Sequence, residues 1–190
     1  MSAQPTRHPR LLALGLIGTI VTTIGGAAMS LAYFTDSDAV GANTFSTGTI
    51  VLSTSPTSAL VTYSNMFPGD SVTGTLAVSN TGTGDLRYAM TSSSTDTDSK
   101  HLAAQLTLVV KTEGTDCTTF DRTTVYTGTL GSAAFGNPAS GADTDDRNLT
   151  AGSSENLCFK VSLASSTGNA YQNATTTTTF TFASEQTKNN

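Results

Sequence analysis

Residues 11–32 constrain this chain more than any other feature, because they carry no charged side chain over a length that could span a bilayer. Arg7 and Arg10 precede them and form a basic flank. A basic flank followed by an apolar middle is the first part of a secretory signal, and its basic residues stay on the cytoplasmic side. The segment therefore predicts a helical signal peptide that delivers the remaining chain across a membrane.

The end of this segment predicts where the signal is removed. Ser30 and Ala32 place two small side chains two positions apart, which is the pattern that a signal peptidase requires. We therefore expect cleavage after Ala32, with Tyr33 as the new N-terminus of a secreted protein. The alternative is a retained anchor that keeps the following domain at the membrane.

The net charge of the chain limits the kinds of partner that it can bind. Nine Lys and Arg stand against fourteen Asp and Glu, for a formal net charge of −5. Two of the basic residues lie in the predicted signal, so the mature chain is more acidic still. A net negative chain without a basic stripe does not attract nucleic acid or anionic lipid. We therefore expect no nucleic-acid partner.

Short alternating segments predict an all-β fold. Leu157, Phe159 and Val161, for example, alternate with polar or small residues, as they do in a strand with one buried face. Asp98 is expected to cap one short helical turn at 99–104. About eight or nine strands with hardly any helix favour an antiparallel two-sheet sandwich of the jelly-roll kind. The main predicted strands are 44–53, 59–63, 71–79, 86–91, 106–111, 123–130, 154–164 and 175–183.

The chain has two cysteines, Cys117 and Cys158. In an exported protein two cysteines indicate a disulfide more readily than a metal site. Closing a loop of this length could stabilise the fold by roughly 4 kcal/mol in the chain-entropy model. The alternative is a pair of free buried thiols.

Catalytic residues are scarce in the predicted mature chain. His101 is its single histidine, and neither His-Glu-x-x-His nor Gly-x-Ser-x-Gly occurs. Nucleophilic and zinc-dependent hydrolysis both need a base or ligand set that is usually built on histidine. We therefore expect His101 at the surface and predict no catalytic residue and no cofactor.

Two polar features are weaker candidates for sites. Asp143, Asp145 and Asp146 supply three carboxylates in a glycine-rich loop, and oxygen ligands of this kind suit Ca²⁺. A solvated acidic loop is the alternative, since the twelve-residue calcium loop with its terminal Glu is absent. Asn148 and Asn173 each begin a glycosylation sequon.

Several short segments follow one another in a characteristic order, and they are 32–36, 44–52, Phe67-Pro68-Gly69-Asp70, Asn80-Thr81-Gly82, Leu86-Arg87-Tyr88, Tyr171-Gln172-Asn173 and 180–186. Together they resemble the TasA/camelysin family, whose members are exported through a signal peptidase of the SipW type. The resemblance covers both ends of the chain better than residues 92–150. It implies a secreted jelly-roll protein that assembles into fibres of a biofilm matrix.

The resemblance also implies a way to assemble. In fibre-forming members the freed N-terminal segment inserts as a strand into the neighbouring subunit, which makes a head-to-tail homopolymer. Here Tyr33, Phe34 and Val40 are the candidate anchors of that segment. The alternative is a tail that stays within its own subunit. The expected organisation is a signal peptide at 1–32, a donor segment at 33–44, a jelly-roll domain at 45–186 and a frayed end at 187–190.

The leading hypothesis is thus a non-enzymatic structural subunit of extracellular fibres at the cell surface or in the matrix. Its expected partners are further copies of itself, the SipW-type signal peptidase and other matrix or cell-surface proteins. The family name camelysin suggests a secreted metallopeptidase as the alternative, although no zinc ligand set is recognisable. A membrane-anchored adhesin domain is the third hypothesis.

Overall fold

The computed structural model describes residues 44–139 and 141–188. The predicted signal peptide, the Ala32–Tyr33 cleavage site and the anchors Phe34 and Val40 lie outside the described residues. The chain divides into two compact units, Met1–Phe45 and Ser46–Asn190, and the fold given below is that of the second. Among the described residues, no helix is both long enough and apolar enough to cross a membrane.

The described residues form nine strands in two antiparallel sheets, which confirms the predicted sandwich. The strands are β1 (Leu52–Ser55), β2 (Ser71–Asn80), β3 (Leu86–Ser94), β4 (Leu106–Thr112), β5 (Thr124–Thr129), β6 (Ala134–Phe135), β7 (Arg147–Leu149), β8 (Ser154–Leu163) and β9 (Thr178–Gln186). One α-helix, α1 (Leu102–Gln105), and two short 3₁₀ helices, η1 (Leu130–Ser132) and η2 (Asn169–Tyr171), connect them. Sheet A has the order β1-β2-β8-β4-β5, and in sheet B β3 pairs with β9 on one side and with β6 and β7 on the other.

The core lies between the two sheets and is built from alternate residues of the long strands. Val78, Leu108, Leu157 and Phe159 are each 0% exposed, and they come from three neighbouring strands of sheet A. Burying one such side chain is worth about 1.5–3 kcal/mol. β4 is an interior strand of sheet A, because β8 and β5 pair with its two edges.

A loop covers part of the outer face of sheet A. Cys158 points away from the core, since it alternates with Leu157 and Phe159, yet it is 1% exposed because Cys117 is bonded to it. The ring of Phe120 in the same loop lies 5.0 Å from the Lys111 ammonium. The disulfide therefore fastens the loop that connects β4 to β5 onto β8.

Three local predictions were wrong. Residues 44–51 are not a strand, because the carbonyls of Thr49 and Val51 accept hydrogen bonds from the amides of loop 81–84 rather than from a strand. Residues 59–63 form no strand either. Asp98 does not cap α1; the N-cap position is His101, whose side chain makes no capping hydrogen bond.

Candidate functional site

The candidate site is one open side of the sandwich, where each sheet presents a strand edge. In sheet A, β1 pairs only with the second half of β2, so within the described residues Ser71–Leu76 has no strand on that edge. In sheet B, residues 178–184 of β9 pair with β3 on one edge and with no described strand on the other. Free strand edges offer backbone donors and acceptors to another chain.

The two edges lie on the same side of the molecule. The ring of Phe180 on β9 lies 5.2 Å from the ring of Phe159 on β8, which is the neighbour of β2. On the opposite side, the chain passes from β5 through η1 directly into β6, so a connection joins the two sheets there. The edges of β2 and β9 thus flank a common opening, called here the lateral opening.

Aromatic side chains line the sheet B wall of this opening. Phe182 lies 6.1 Å from Tyr88 and 6.5 Å from Phe135, measured between ring centroids. Phe180 and Phe182 pack against the core but are only half-buried, because β9 is the outermost described strand of its sheet. The opening therefore offers apolar contacts beside its backbone hydrogen-bonding groups.

The segment before β1 is fixed to the loop at 81–84 through Thr49 and Val51, and the Thr81 amide donates to the Val51 carbonyl at 2.9 Å. The Thr83 and Gly84 amides both donate to the Thr49 carbonyl, at nitrogen–oxygen distances of 2.8 and 2.9 Å. Gly82 permits this contact, since a Cβ there would lie 2.4 Å from the same carbonyl oxygen. Residues 44–50 are exposed, and Phe45 is 93% exposed.

A polar cluster between the sheets was not predicted from the sequence. The Tyr88 hydroxyl donates to Glu155 Oε1 at 2.7 Å, and Arg147 Nε donates to the same oxygen at 2.9 Å. Burial raises the pKa of Tyr88, and the negative charge of Glu155 raises it further. Burial lowers the pKa of Arg147, but the hydrogen bond and charge of Glu155 outweigh it and the net shift is upward. The cluster ties β3, β7 and β8 together.

A second buried ion pair lies on the outer face of sheet B. Arg87 is 6% exposed and its Nη1 is 3.4 Å from Glu185 Oε1. The Gly141 amide also donates to Glu185 Oε1, at 2.9 Å, so the loop between β6 and β7 covers this pair. No sequence motif marks Arg87 as buried, since single charged residues in strands are usually exposed.

The predicted disulfide is confirmed, because Cys117 and Cys158 are bonded and no cysteine among the described residues is free. The predicted glycosylation residues Asn148 and Asn173 are both exposed. Asn148 lies on β7 opposite Arg87, and Asn173 follows η2 in a left-handed conformation with φ of 58°. Their modification remains a prediction.

The described residues do not fit a metal site. They contain no group of three or more His, Cys, Asp or Glu side chains placed to hold an ion. His101 is exposed and its Nδ1 lies 2.6 Å from Asp96, while both cysteines are in the disulfide. Of the three candidate calcium ligands, Asp146 accepts hydrogen bonds from the amides of Asn137 and Asp143. The Asp146 carboxylate thus stabilises the conformation of its own loop.

Fold and site together define a disulfide-linked β-sandwich whose clearest surface feature is an open side between two strand edges. Residues 10–190 match the family model described as Camelysin metallo-endopeptidase. The chain therefore belongs to the camelysin family, which confirms the resemblance to TasA and camelysin, and this membership supports a secreted protein. A search of curated proteins gave no match.

Proposed function

We propose that the chain is a secreted structural subunit of extracellular fibres, and that residues 33–44 of one copy insert into the lateral opening of the next. The observation that carries this proposal is the pair of strand edges without a described partner strand, Ser71–Leu76 of β2 and residues 178–184 of β9, on one side of the sandwich. A strand added there gains main-chain hydrogen bonds along an edge and side-chain contacts between the sheets.

The dimensions support the insertion. Twelve residues in extended conformation reach roughly 40 Å, and the free edge of β9 is shorter than that. Tyr33, Phe34 and Val40 provide the large apolar side chains of the segment. The half-buried rings of Phe180 and Phe182 provide an apolar surface to receive them. Repeating one such head-to-tail contact gives an open filament.

The test uses the mature chain starting at Tyr33. We expect filaments by electron microscopy when it is concentrated, and soluble monomers when residues 33–44 are deleted. A chain carrying the same twelve residues in scrambled order serves as the matched control for length and composition, and it should remain monomeric. Identical filaments from the deleted chain would disprove donor insertion.

A second experiment separates the anchors from the backbone. Replacing Tyr33, Phe34 and Val40 by serine keeps the extended segment but removes its apolar side chains, so we expect a raised critical concentration for assembly. Replacing Ser37 and Asp38 by alanine changes two polar neighbours and should leave assembly nearly unchanged. Equal effects of the two sets would argue against specific side-chain pockets.

The endopeptidase activity in the family description is not part of this proposal, because the described donor set does not fit a zinc site. A casein digest with and without chelator tests this directly on the purified mature chain. Chelator-sensitive cleavage would require a ligand set outside the geometry described above. N-terminal sequencing of the exported protein tests the anchored alternative, since a start at Met1 or Ser2 would favour a retained anchor.

A further inference from the structure

One segment of the same chain already occupies part of the lateral opening. Residues 57–66, called here the strap, follow β1 and contain no helix or strand. Leu60, Val61 and Met66 on the strap are half-buried and pack against the core. The strap is therefore an irregular segment whose apolar side chains help to close the core.

Gly74 locates the strap on the inner face of β2. A Cβ at Gly74 would lie 2.7 Å from the Leu60 carbonyl oxygen and 2.7 Å from Val61 Cγ1. Gly74 pairs directly with Phe159, and Phe159 contacts Phe180 on β9. Leu60 and Val61 thus fill the space next to the aromatic contact that joins the two sheets.

The strap is held by few polar contacts. Within the described residues, no backbone group of 57–66 forms a backbone–backbone hydrogen bond. The Tyr63 hydroxyl donates to Asp70 Oδ2 at 3.2 Å, and this carboxylate also accepts from the Phe67 amide at 2.8 Å. An occupant with half-buried side chains and no ladder hydrogen bonds can be replaced at lower cost than a paired strand.

We propose that the strap is an internal occupant of the lateral opening, and that an incoming donor segment from a second copy must displace it. The inference rests on the proposed fibre function and adds a regulation of it. The strap lowers the fraction of molecules whose opening can accept a donor, and apparent affinity falls in proportion to that fraction. It thereby delays assembly and covers apolar surface in the free subunit.

The test measures the lag time of filament formation by the mature chain. The paired variant Leu60→Ala with Val61→Ala weakens the strap, and we expect a lag shorter by a factor of roughly 3 to 10. The control is Leu102→Ala with Val125→Ala, two half-buried apolar residues that also pack against the core, on α1 and β5. It should not shorten the lag.

A milder variant keeps the test decisive if the paired variant fails to fold. Tyr63→Phe removes the hydrogen bond to Asp70 from a side chain that is 48% exposed, so the fold should survive. A shorter lag supports the proposal. A lag that is unchanged or longer in a folded strap variant, while the wild-type chain assembles, would overturn it. If the wild-type chain forms no filaments, it is the proposed function itself that fails.

Discussion

The Tyr88 hydroxyl on β3 donates a hydrogen bond to the Glu155 carboxylate on β8, with 2.7 Å between the oxygens, and so joins the two sheets. Arg147 on β7 holds the same carboxylate. Two residues of sheet B thus hold one carboxylate of sheet A near the core.

Replacing Tyr88 by phenylalanine should destabilise the fold. Tyr88 is 1% exposed, and a hydrogen bond to a charged group contributes about 1.5–3 kcal/mol. We expect the free energy of unfolding, measured with urea, to fall by that amount. Tyr126→Phe is the control, because the Tyr126 hydroxyl donates to the Thr129 carbonyl at an exposed site and its loss should cost less. Equal losses would contradict a special role for Glu155.

The same contact predicts a dependence on alkaline pH. Burial raises the pKa of Tyr88 in the folded state, so unfolding at high pH allows the phenol to release a proton that the fold retains. The contribution of protonated Tyr88 to the free energy of unfolding is complete below the pKa of about 10 that a tyrosine has in the unfolded chain, and it is lost as the pH rises above that value. Between about pH 8 and about pH 11, the free energy of unfolding should fall less steeply with pH for Tyr88→Phe than for the wild-type chain. Parallel curves would refute this.

Removing the disulfide should lower stability by about 4 kcal/mol in the chain-entropy model, since it closes a loop with a sequence separation of 41. The change is Cys117→Ala with Cys158→Ala, and the measurement is urea unfolding. Reductant should destabilise the wild-type chain but leave the double variant unchanged. A double variant as stable as the oxidised chain would show that contacts such as Lys111 with Phe120 suffice to hold the loop.

Gly82 and Gly84 form a matched pair for testing how the segment before β1 is fixed. A Cβ at Gly82 would lie 2.4 Å from the Thr49 carbonyl oxygen and 2.8 Å from Ile50 Cα, whereas the nearest atom to a Cβ at Gly84 is 3.6 Å away. We expect Gly82→Ala to cost about 1–3 kcal/mol and Gly84→Ala about 0.5 kcal/mol or less. Amide exchange at Thr81 and Thr83 should accelerate in the first variant alone.

The hydrogen bond between Asp98 and the segment before β9 should be sensitive to acid. Its carboxylate accepts from the Thr175 amide at 2.7 Å and the Lys100 amide at 3.0 Å, and these bonds lower the pKa of Asp98 in that order of importance. The contact is therefore complete above pH of about 4 and is lost as pH falls through the lowered folded-state value.

The measurement is the chemical shift of the Thr175 amide during an acid titration. Asp98→Ala should abolish the transition and leave this amide shifted throughout. Asp116→Ala is the control, since the carboxylate of Asp116 accepts hydrogen bonds from Thr118 and Thr119 within its own loop and its removal should not affect Thr175. A transition that persists in Asp98→Ala would assign the effect to another group.

Local pattern predicted four of the paired strands closely, whereas β3 ends three residues after its predicted end and β9 is shifted by three residues from the predicted 175–183. β2, β4, β5 and β8 begin and end within one or two residues of the predicted segments. Their side chains alternate between core and surface, and this alternation is already present in the order of the residues. The disulfide was equally predictable, because predicted export and a count of two cysteines left one intramolecular pairing.

Contacts between residues far apart in the chain determine the features that the local sequence pattern did not predict. Side-chain types alternate over residues 44–51 as they do in a strand. The carbonyls of this segment, however, accept hydrogen bonds from the loop around Gly82 and not from a neighbouring strand. Residues 59–63 became part of the strap, since Gly74 leaves room for them between the sheets. Arg87 is buried because a loop distant in sequence brings Gly141 onto its partner Glu185.

The sequence by itself determined the family, the β class and the chemistry of the cysteine pair, because these depend on composition, order and local alternation. Only the tertiary structure decided which strands remain at the edges, and hence that β2 and β9 flank one lateral opening with the strap across it. The physical reason is that strand order follows from pairing between residues far apart in the chain, and side-chain periodicity contains no information about which strands pair.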